Sequence, residues 1–299
     1  MSKRFRGTYT VMITPFDALG AVNYKALADF TEWQIESGIA GLIPLGSTGE
    51  FLSLTEEERH GVARTVIDTA AGRVPVLIGT GHEWTDQVIA ESRAAEAMGA
   101  DGVMIIPPFY STPTEDELFA HYKAIGEAVS IPIMVYNNPA TANVDLTPPI
   151  LKRLSAIDNV RYVKESTMDV TRVRDIIDLC GEDMIVFGGI MGFESFVNGA
   201  QGWVAVGSNV MPAEFAELFT LTADAQDYDA ARALYRRILP VIRMVGGHHY
   251  VSATKAALEL MGHDVGGPRG PRLPVGPAGR VAIARTLAEL GLQPLRASA

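Results

Sequence analysis

Gly102-Val103-Met104-Ile105-Ile106-Pro107-Pro108 sets four successive large apolar side chains between a glycine and a pair of prolines. A strand with one wet face alternates apolar and polar residues, whereas a strand covered on both faces is apolar throughout, as in a parallel sheet flanked by helices. Similar short apolar runs recur over 7–15, 41–46, 75–81, 132–139, 160–167, 184–189 and 202–209, each followed by a stretch of helical periodicity. Eight such units predict a closed (β/α)₈ barrel, an α/β architecture of the TIM-barrel class.

The helical stretches carry their own start signals. Thr55 with Glu58 and Thr114 with Glu117 have capping-box spacing, and Thr147-Pro148 sets an N-cap residue before proline at the first helical position. Asn23 is expected to cap a helix that turns Leu27, Phe30 and Ile35 towards one face and ends at Gly38. Beyond residue 209 the periodicity predicts helices near 213–224, 227–245, 250–262 and 277–291 with no strand between them. That exceeds what an eighth barrel unit needs. The expected organisation is a barrel over 1–225 and a small helical C-terminal extension over 226–299, with 266–277, rich in Gly, Pro and Arg, as a connection inside the extension.

Composition excludes several classes of function. The formal net charge of −10 disfavours phosphate backbones and anionic membranes as partners, so neither nucleic acid nor membrane is expected. No segment has the roughly 20 apolar residues that span a bilayer. The start, Met1-Ser2-Lys3-Arg4-Phe5-Arg6-Gly7, lacks a signal peptide's apolar region, and the lone Cys180 suits a reducing compartment. A cytoplasmic location is expected.

In a barrel of this kind, reactive groups sit at the C-terminal ends of the strands. After the second strand comes Gly46-Ser47-Thr48-Gly49-Glu50, whose hydroxyls and backbone N–H groups can converge on a carboxylate, or simply make a tight turn. It lacks the Gly-Lys-Ser/Thr ending of a P-loop. The sixth strand holds Val163-Lys164-Glu165, and an unpaired buried ammonium is costly, so Lys164 needs either a structural partner or a chemical purpose. Glu165 is an awkward partner, because adjacent strand residues point to opposite faces. Tyr136, in Tyr136-Asn137-Asn138-Pro139 at the end of the fifth strand, can be a core aromatic or a proton shuttle for that lysine; Tyr110, after the fourth, is a second candidate phenol. Adjacent His248 and His249 have no carboxylate or thiolate constellation, and no nucleophile elbow is present, so neither a metal nor a hydrolytic triad is expected.

The ordered set Gly46-Ser47-Thr48-Gly49-Glu50, Pro107-Pro108-Phe109-Tyr110, Tyr136-Asn137-Asn138-Pro139 and Val163-Lys164-Glu165 resembles the dihydrodipicolinate synthase and N-acetylneuraminate lyase family over nearly the whole chain. The resemblance implies a class I lyase or aldolase in which Lys164 forms a Schiff base with pyruvate or another small 2-oxo acid, without cofactor. It implies that Tyr136 handles protons, that Ser47 and Tyr110 form a relay with Tyr110 crossing a subunit interface, and that Thr48, with backbone near Gly189 and Val204, holds the substrate carboxylate. It also implies a homotetramer built as a dimer of dimers. A buried barrel lumen suits such chemistry, since desolvation favours a neutral amine.

The chain departs from the family's best-known members at two places. Thr141 stands where dihydrodipicolinate synthases place an arginine for the semialdehyde carboxylate, and Gly189-Ile190-Met191-Gly192 replaces the acidic sugar-binding residues of sialic-acid lyases. Aspartate semialdehyde is therefore expected to be a poor second substrate, unless an arginine from the C-terminal helices replaces the missing one. The alternatives are a 2-oxo-3-deoxy acid dehydratase, a dihydrodipicolinate synthase, and a silent barrel that binds a 2-oxo acid.

Overall fold

The structure is a computed structural model that describes residues 4–247 and 249–292. Eight parallel strands follow one another: β1 (Gly7–Val11), β2 (Gly41–Ile43), β3 (Leu77–Gly79), β4 (Gly102–Ile105), β5 (Ile133–Asn137), β6 (Val160–Glu165), β7 (Ile185–Gly188) and β8 (Gly202–Ala205). They pair in the order β2-β1-β8-β7-β6-β5-β4-β3. An isolated parallel bridge between Leu42 and Val76 links the two ends and closes the ring. The ladders are shorter than the apolar runs, because those runs continue into the buried first residues of the loops, such as Met12 and Ile106.

Helices α1 (Tyr24–Glu36), α2 (Glu56–Ala70), α3 (Thr85–Met98), α4 (Glu115–Ala128), α5 (Pro148–Leu154), α6 (Thr171–Cys180), α7 (Gly192–Val197) and α8 (Pro212–Phe219) accompany the strands. Both capping boxes form, at Thr55/Glu58 and Thr114/Glu117, and the Asn23 side chain accepts from Ala26 N. Thr147 makes no side-chain cap bond; Pro148 alone marks that helix start. On α1 the buried face is Leu27, Phe30, Thr31 and Gln34, while Ile35 is only partly buried. The polar Gln34 replaces Ile35 there because its amide bridges Thr10 and the carbonyls of Ser208 and Asn209, a use that hydrophobic patterning does not reveal.

The lumen is filled at its N-terminal end by aromatic rings. Phe5 stacks on Tyr162 at 4.7 Å, and Tyr9 meets Phe187 edge-on at 5.3 Å. Gly41 and Gly202 make room for them: a Cβ at either would come within 2.1 Å of the Tyr9 or Phe187 ring. Side chains two apart on a strand share a face, so Lys164 stands one layer above Tyr162 in the same lumen.

After α8 the chain makes a π-helical turn and continues as α9 (Tyr228–Met244), α10 (Tyr250–Leu260) and α11 (Pro277–Glu289) with no strand between. The connection over 266–277 is tied down. Arg269 donates to Gly20 O, Ser53 O and both Glu58 oxygens, and Ser252 Oγ donates to Leu273 O. No helix among the described residues is long and apolar enough to cross a membrane. His248 and residues 293–299 of the expected extension lie outside the described residues.

Candidate active site

Lys164 is 6% exposed on β6, and in register with it on β5 is Tyr136, whose ring centroid lies 3.9 Å from Nζ. Lys164 has no salt bridge among the described residues. Glu165 is committed elsewhere: it accepts from Asn137 Nδ2 at 2.9 Å and from Thr167 N at 2.7 Å. Asn137 also reaches Asp145, itself paired with Arg172, so the carboxylates behind the strand ends are satisfied by one another's partners. The lysine is left facing an aromatic ring in the lumen. An aromatic face can hold an ammonium by cation–π attraction, so the lysine needs no carboxylate there.

The Tyr136 hydroxyl accepts from Asn138 Nδ2 at 2.9 Å. An acceptor bond leaves the phenol's own hydrogen free to be given away. Nζ thus lies over the ring of a phenol whose hydroxyl can give up a proton.

At the end of β2, Ser47–Gly49 form one short 3₁₀ turn, closed by Gly49 N to Gly46 O and Glu50 N to Ser47 O. The N–H groups of Ser47 and Thr48 precede those bonds and so lie outside the turn's own ladder. Leu45 and Glu50 flank the turn in left-handed conformations, φ 61° and 57°, an uncommon arrangement for residues with a Cβ. Glu50 is held there by its carboxylate: Lys255 Nζ lies 2.8 Å from Oε1, and Arg269 N donates to Oε2 at 2.9 Å. The contact to Oε1 is ionic, with no hydrogen-bond alignment; Lys255 donates to Gly267 O instead, at 3.0 Å.

Ser47 and Thr141 line one cavity of about 190 Å³, together with Tyr250 at the start of α10 and Arg272. Ser47 also lines a smaller space beside Tyr136, so the two are neighbours. Thr48 is buried in its turn, and Val204 is buried within β8. Gly189 lies against the β6 end, its N–H given to Glu165 O at 2.7 Å; a Cβ there would strike Ser166 Oγ at 1.7 Å. What that position offers a ligand is close backbone rather than a free donor. Tyr110 is not brought into this chain's pocket. It is 87% exposed, on a loop whose Phe109, Tyr110 and Ser111 N–H groups all converge on the Glu83 carboxylate. Burial pushes the Glu83 carboxyl up, but those bonds outweigh it and hold it below its usual range.

Relatives decide the class. The profile of the Dihydrodipicolinate synthetase family matches residues 4–290. The chain belongs to this family. It is 35% identical over 291 residues to the 4-hydroxy-tetrahydrodipicolinate synthase of Syntrophobacter fumaroxidans, covering 96% of this chain and 99% of that one. The corresponding enzyme of Desulfotalea psychrophila is 37% identical over 276 residues, 91% and 92% of the two chains. Among solved structures, the chloride-inhibited dihydrodipicolinate synthase of Acinetobacter baumannii, complexed with pyruvate, superposes with a TM-score of 0.94 at 32% identity, covering 97% of this chain and all of that one. Family members are class I lyases and aldolases that work through a lysine imine, and this chain is an enzyme of that class.

Four residues of this family member escaped sequence reading: Tyr250, Lys255, Arg269 and Arg272. All lie in or beside the C-terminal extension, far along the chain from the strand ends they meet. The arginines of 266–277 were the one available signal. A group of potential ligands, Glu56, His60 and Glu91, lies on α2 and α3, but Glu91 is already paired with Arg59 at 2.7 Å.

Proposed function

We propose that the chain forms an imine between Lys164 Nζ and the keto carbon of pyruvate or another small 2-oxo acid, and uses it to make or break a bond at the adjacent carbon. The observation that carries this reading is the buried, carboxylate-free lysine in contact with Tyr136. Nζ adds to the carbonyl to give a carbinolamine, and Tyr136 supplies the proton with which hydroxide leaves as water. The protonated imine withdraws electrons from the next carbon, permitting an enamine that attacks an aldehyde, or is released by retro-aldol cleavage. Loss of a β-hydroxyl draws on the same activated proton and is the second reading, a 2-oxo-3-deoxy acid dehydratase.

Thr48 and the free N–H groups of its turn suit the carboxylate beside the ketone, and Ser47, the turn's first residue, lines the space beside Tyr136. Tyr110 fits a relay completed across a dimer interface, because its loop is clamped while its ring projects outward; Leu52 and Trp84, on the two preceding strand-end loops, are also exposed. A homotetramer of such dimers, in the cytoplasm, is the assembly this reading carries, although one solved relative is described as a monomeric variant. Residues 226–299 would serve as an extension bracing a catalytic barrel over 1–225.

Incubation with pyruvate and borohydride tests the proposal. A reduced pyruvyl adduct on Lys164, found by peptide mass spectrometry, is expected. No adduct, or one on another lysine such as Lys255, overturns it.

A further inference from the structure

Among the charges grouped beside the 46–50 turn, Lys255 faces Glu50 and Arg269 grips Glu58 with two bonds, so these four cancel in pairs. Arg272 is left over. It is half-buried, has no carboxylate partner among the described residues, and holds its guanidinium carbon 6.0 Å from the Tyr250 ring centroid. Tyr250, Thr141 and Ser47 line the same cavity as Arg272, and that cavity shares Ser47, Phe51 and Ile106 with the space beside Tyr136. The two spaces thus adjoin along these three residues, one bordered by Tyr136 and the other by Arg272. Arg272 also borders a larger cavity of about 1000 Å³ among α9, α10 and α11, so it stands at the wall between the two.

The position is built rather than incidental. Three residues earlier, Arg269 is fixed by bonds to Glu58, Gly20 and Ser53; one residue later, Leu273 O is held by Ser252; and Arg272 N itself donates to Arg269 O at 3.2 Å. A guanidinium whose backbone is held on both sides loses little freedom when it binds, and its planar fork matches a carboxylate bidentately. Thr141, opposite on the strand-five loop, offers one neutral hydroxyl whose own bond goes to Asn138 O.

We propose that Arg272 anchors a second carboxylate on the 2-oxo acid itself, remote from the keto acid group, and thereby selects dicarboxylic 2-oxo acids. The proposal rests on the imine chemistry assigned to Lys164. Arg272 is a specificity residue, and the C-terminal extension thus supplies an anchor that the strand-five loop lacks.

Matched pairs of 2-oxo acids of equal chain length test it, one ending in carboxylate and one in methyl: 2-oxoglutarate with 2-oxopentanoate, and 2-oxoadipate with 2-oxohexanoate. The readout is the concentration that half-saturates borohydride trapping, expressed as a ratio within each protein, which cancels any general loss of site integrity. The wild type is expected to favour the dicarboxylic member of at least one pair by about tenfold or more. Arg272→Met should bring that ratio close to one, and Arg272→Lys should retain part of it. If Arg272→Met fails to fold, as near-ultraviolet dichroism would show, the lysine variant must still lower the ratio. A preference unchanged in both variants, or absent from the wild type in both pairs, overturns the anchor. Failure of the wild type to be labelled by pyruvate would instead defeat the imine reading beneath it.

Discussion

Lys255 Nζ lies 2.8 Å from Glu50 Oε1 with side-chain exposures of 1% and 0%, so an ion pair shut off from water joins the C-terminal extension to the turn that carries Ser47 and Thr48. Phe16 lies beneath it, its ring centroid 4.0 Å from Nζ. Glu50→Gln would leave the ammonium buried without its counter-charge, and breaking such a pair typically costs about 3–5 kcal/mol. Lys255 can shed its proton and so blunt that cost. Urea unfolding at pH 7 should show a loss of about 2 kcal/mol or more, with slower pyruvate trapping because Glu50's left-handed backbone is no longer held.

Burial pushes the Lys255 ammonium down to about 8 from 10.5, against the opposing pull of Glu50. Below pH 8 both folded and unfolded chains hold the proton; between about 8 and 10.5 only the unfolded chain does. Stability contributed by this group therefore rises with pH across that window, by at most about 3 kcal/mol. Subtracting the pH profile of Lys255→Met from that of the wild type should isolate the rise. A flat difference would mean that the lysine stays charged in the fold.

Glu58 has the same sign in an acid window, because its pKa too is lower in the fold than in the unfolded chain. Its hydrogen bonds from Arg269, with smaller help from Thr55, hold its carboxyl at about 2 against burial. Its contribution is full above the ordinary carboxylate pKa of 4.5 and is lost as pH falls towards 2. Glu58→Gln should flatten the acid limb of the stability profile. It should also speed amide exchange over 266–277, since Arg269 is what fastens that segment to α2. Unchanged exchange there would show that the other bonds suffice.

Tyr136→Phe removes one hydroxyl and keeps the ring that faces Lys164. Pyruvate trapping should slow by about 10²–10³-fold with the thermal midpoint nearly unchanged. A rate within a few-fold of wild type would remove the phenol from the proton path.

Glu83→Gln weakens the acceptor that gathers the Phe109, Tyr110 and Ser111 N–H groups. If Tyr110 acts across an interface, turnover and dimer stability should fall together, as sedimentation and activity measured over one dilution series would show. Tyr110→Phe should lower turnover while leaving the dimer intact. A fully active monomer would exclude the shared relay.

The sequence alone determined the barrel, the strand that bears Lys164 and the turn after β2, because each depends on residues close in the chain. Unbroken apolarity at 103–106 follows from local burial on two faces, and capping at Thr55 or Thr114 involves partners three residues away. It also kept Glu165 away from Lys164 through strand alternation, and Glu165 is indeed bound to Asn137 and Thr167. Tertiary structure alone decided which distant groups meet the turn. Gln34 entered the buried face of α1 through partners at 10, 208 and 209, where periodicity expects Ile35. Glu50 meets Lys255 across 205 residues and Glu58 meets Arg269 across 211, while Arg272 reaches the cavity of Ser47 and Thr141. Periodicity records the burial of an apolar face, but a charge paired across the fold leaves no periodic trace: its partner is chosen by where loops and helices converge in space.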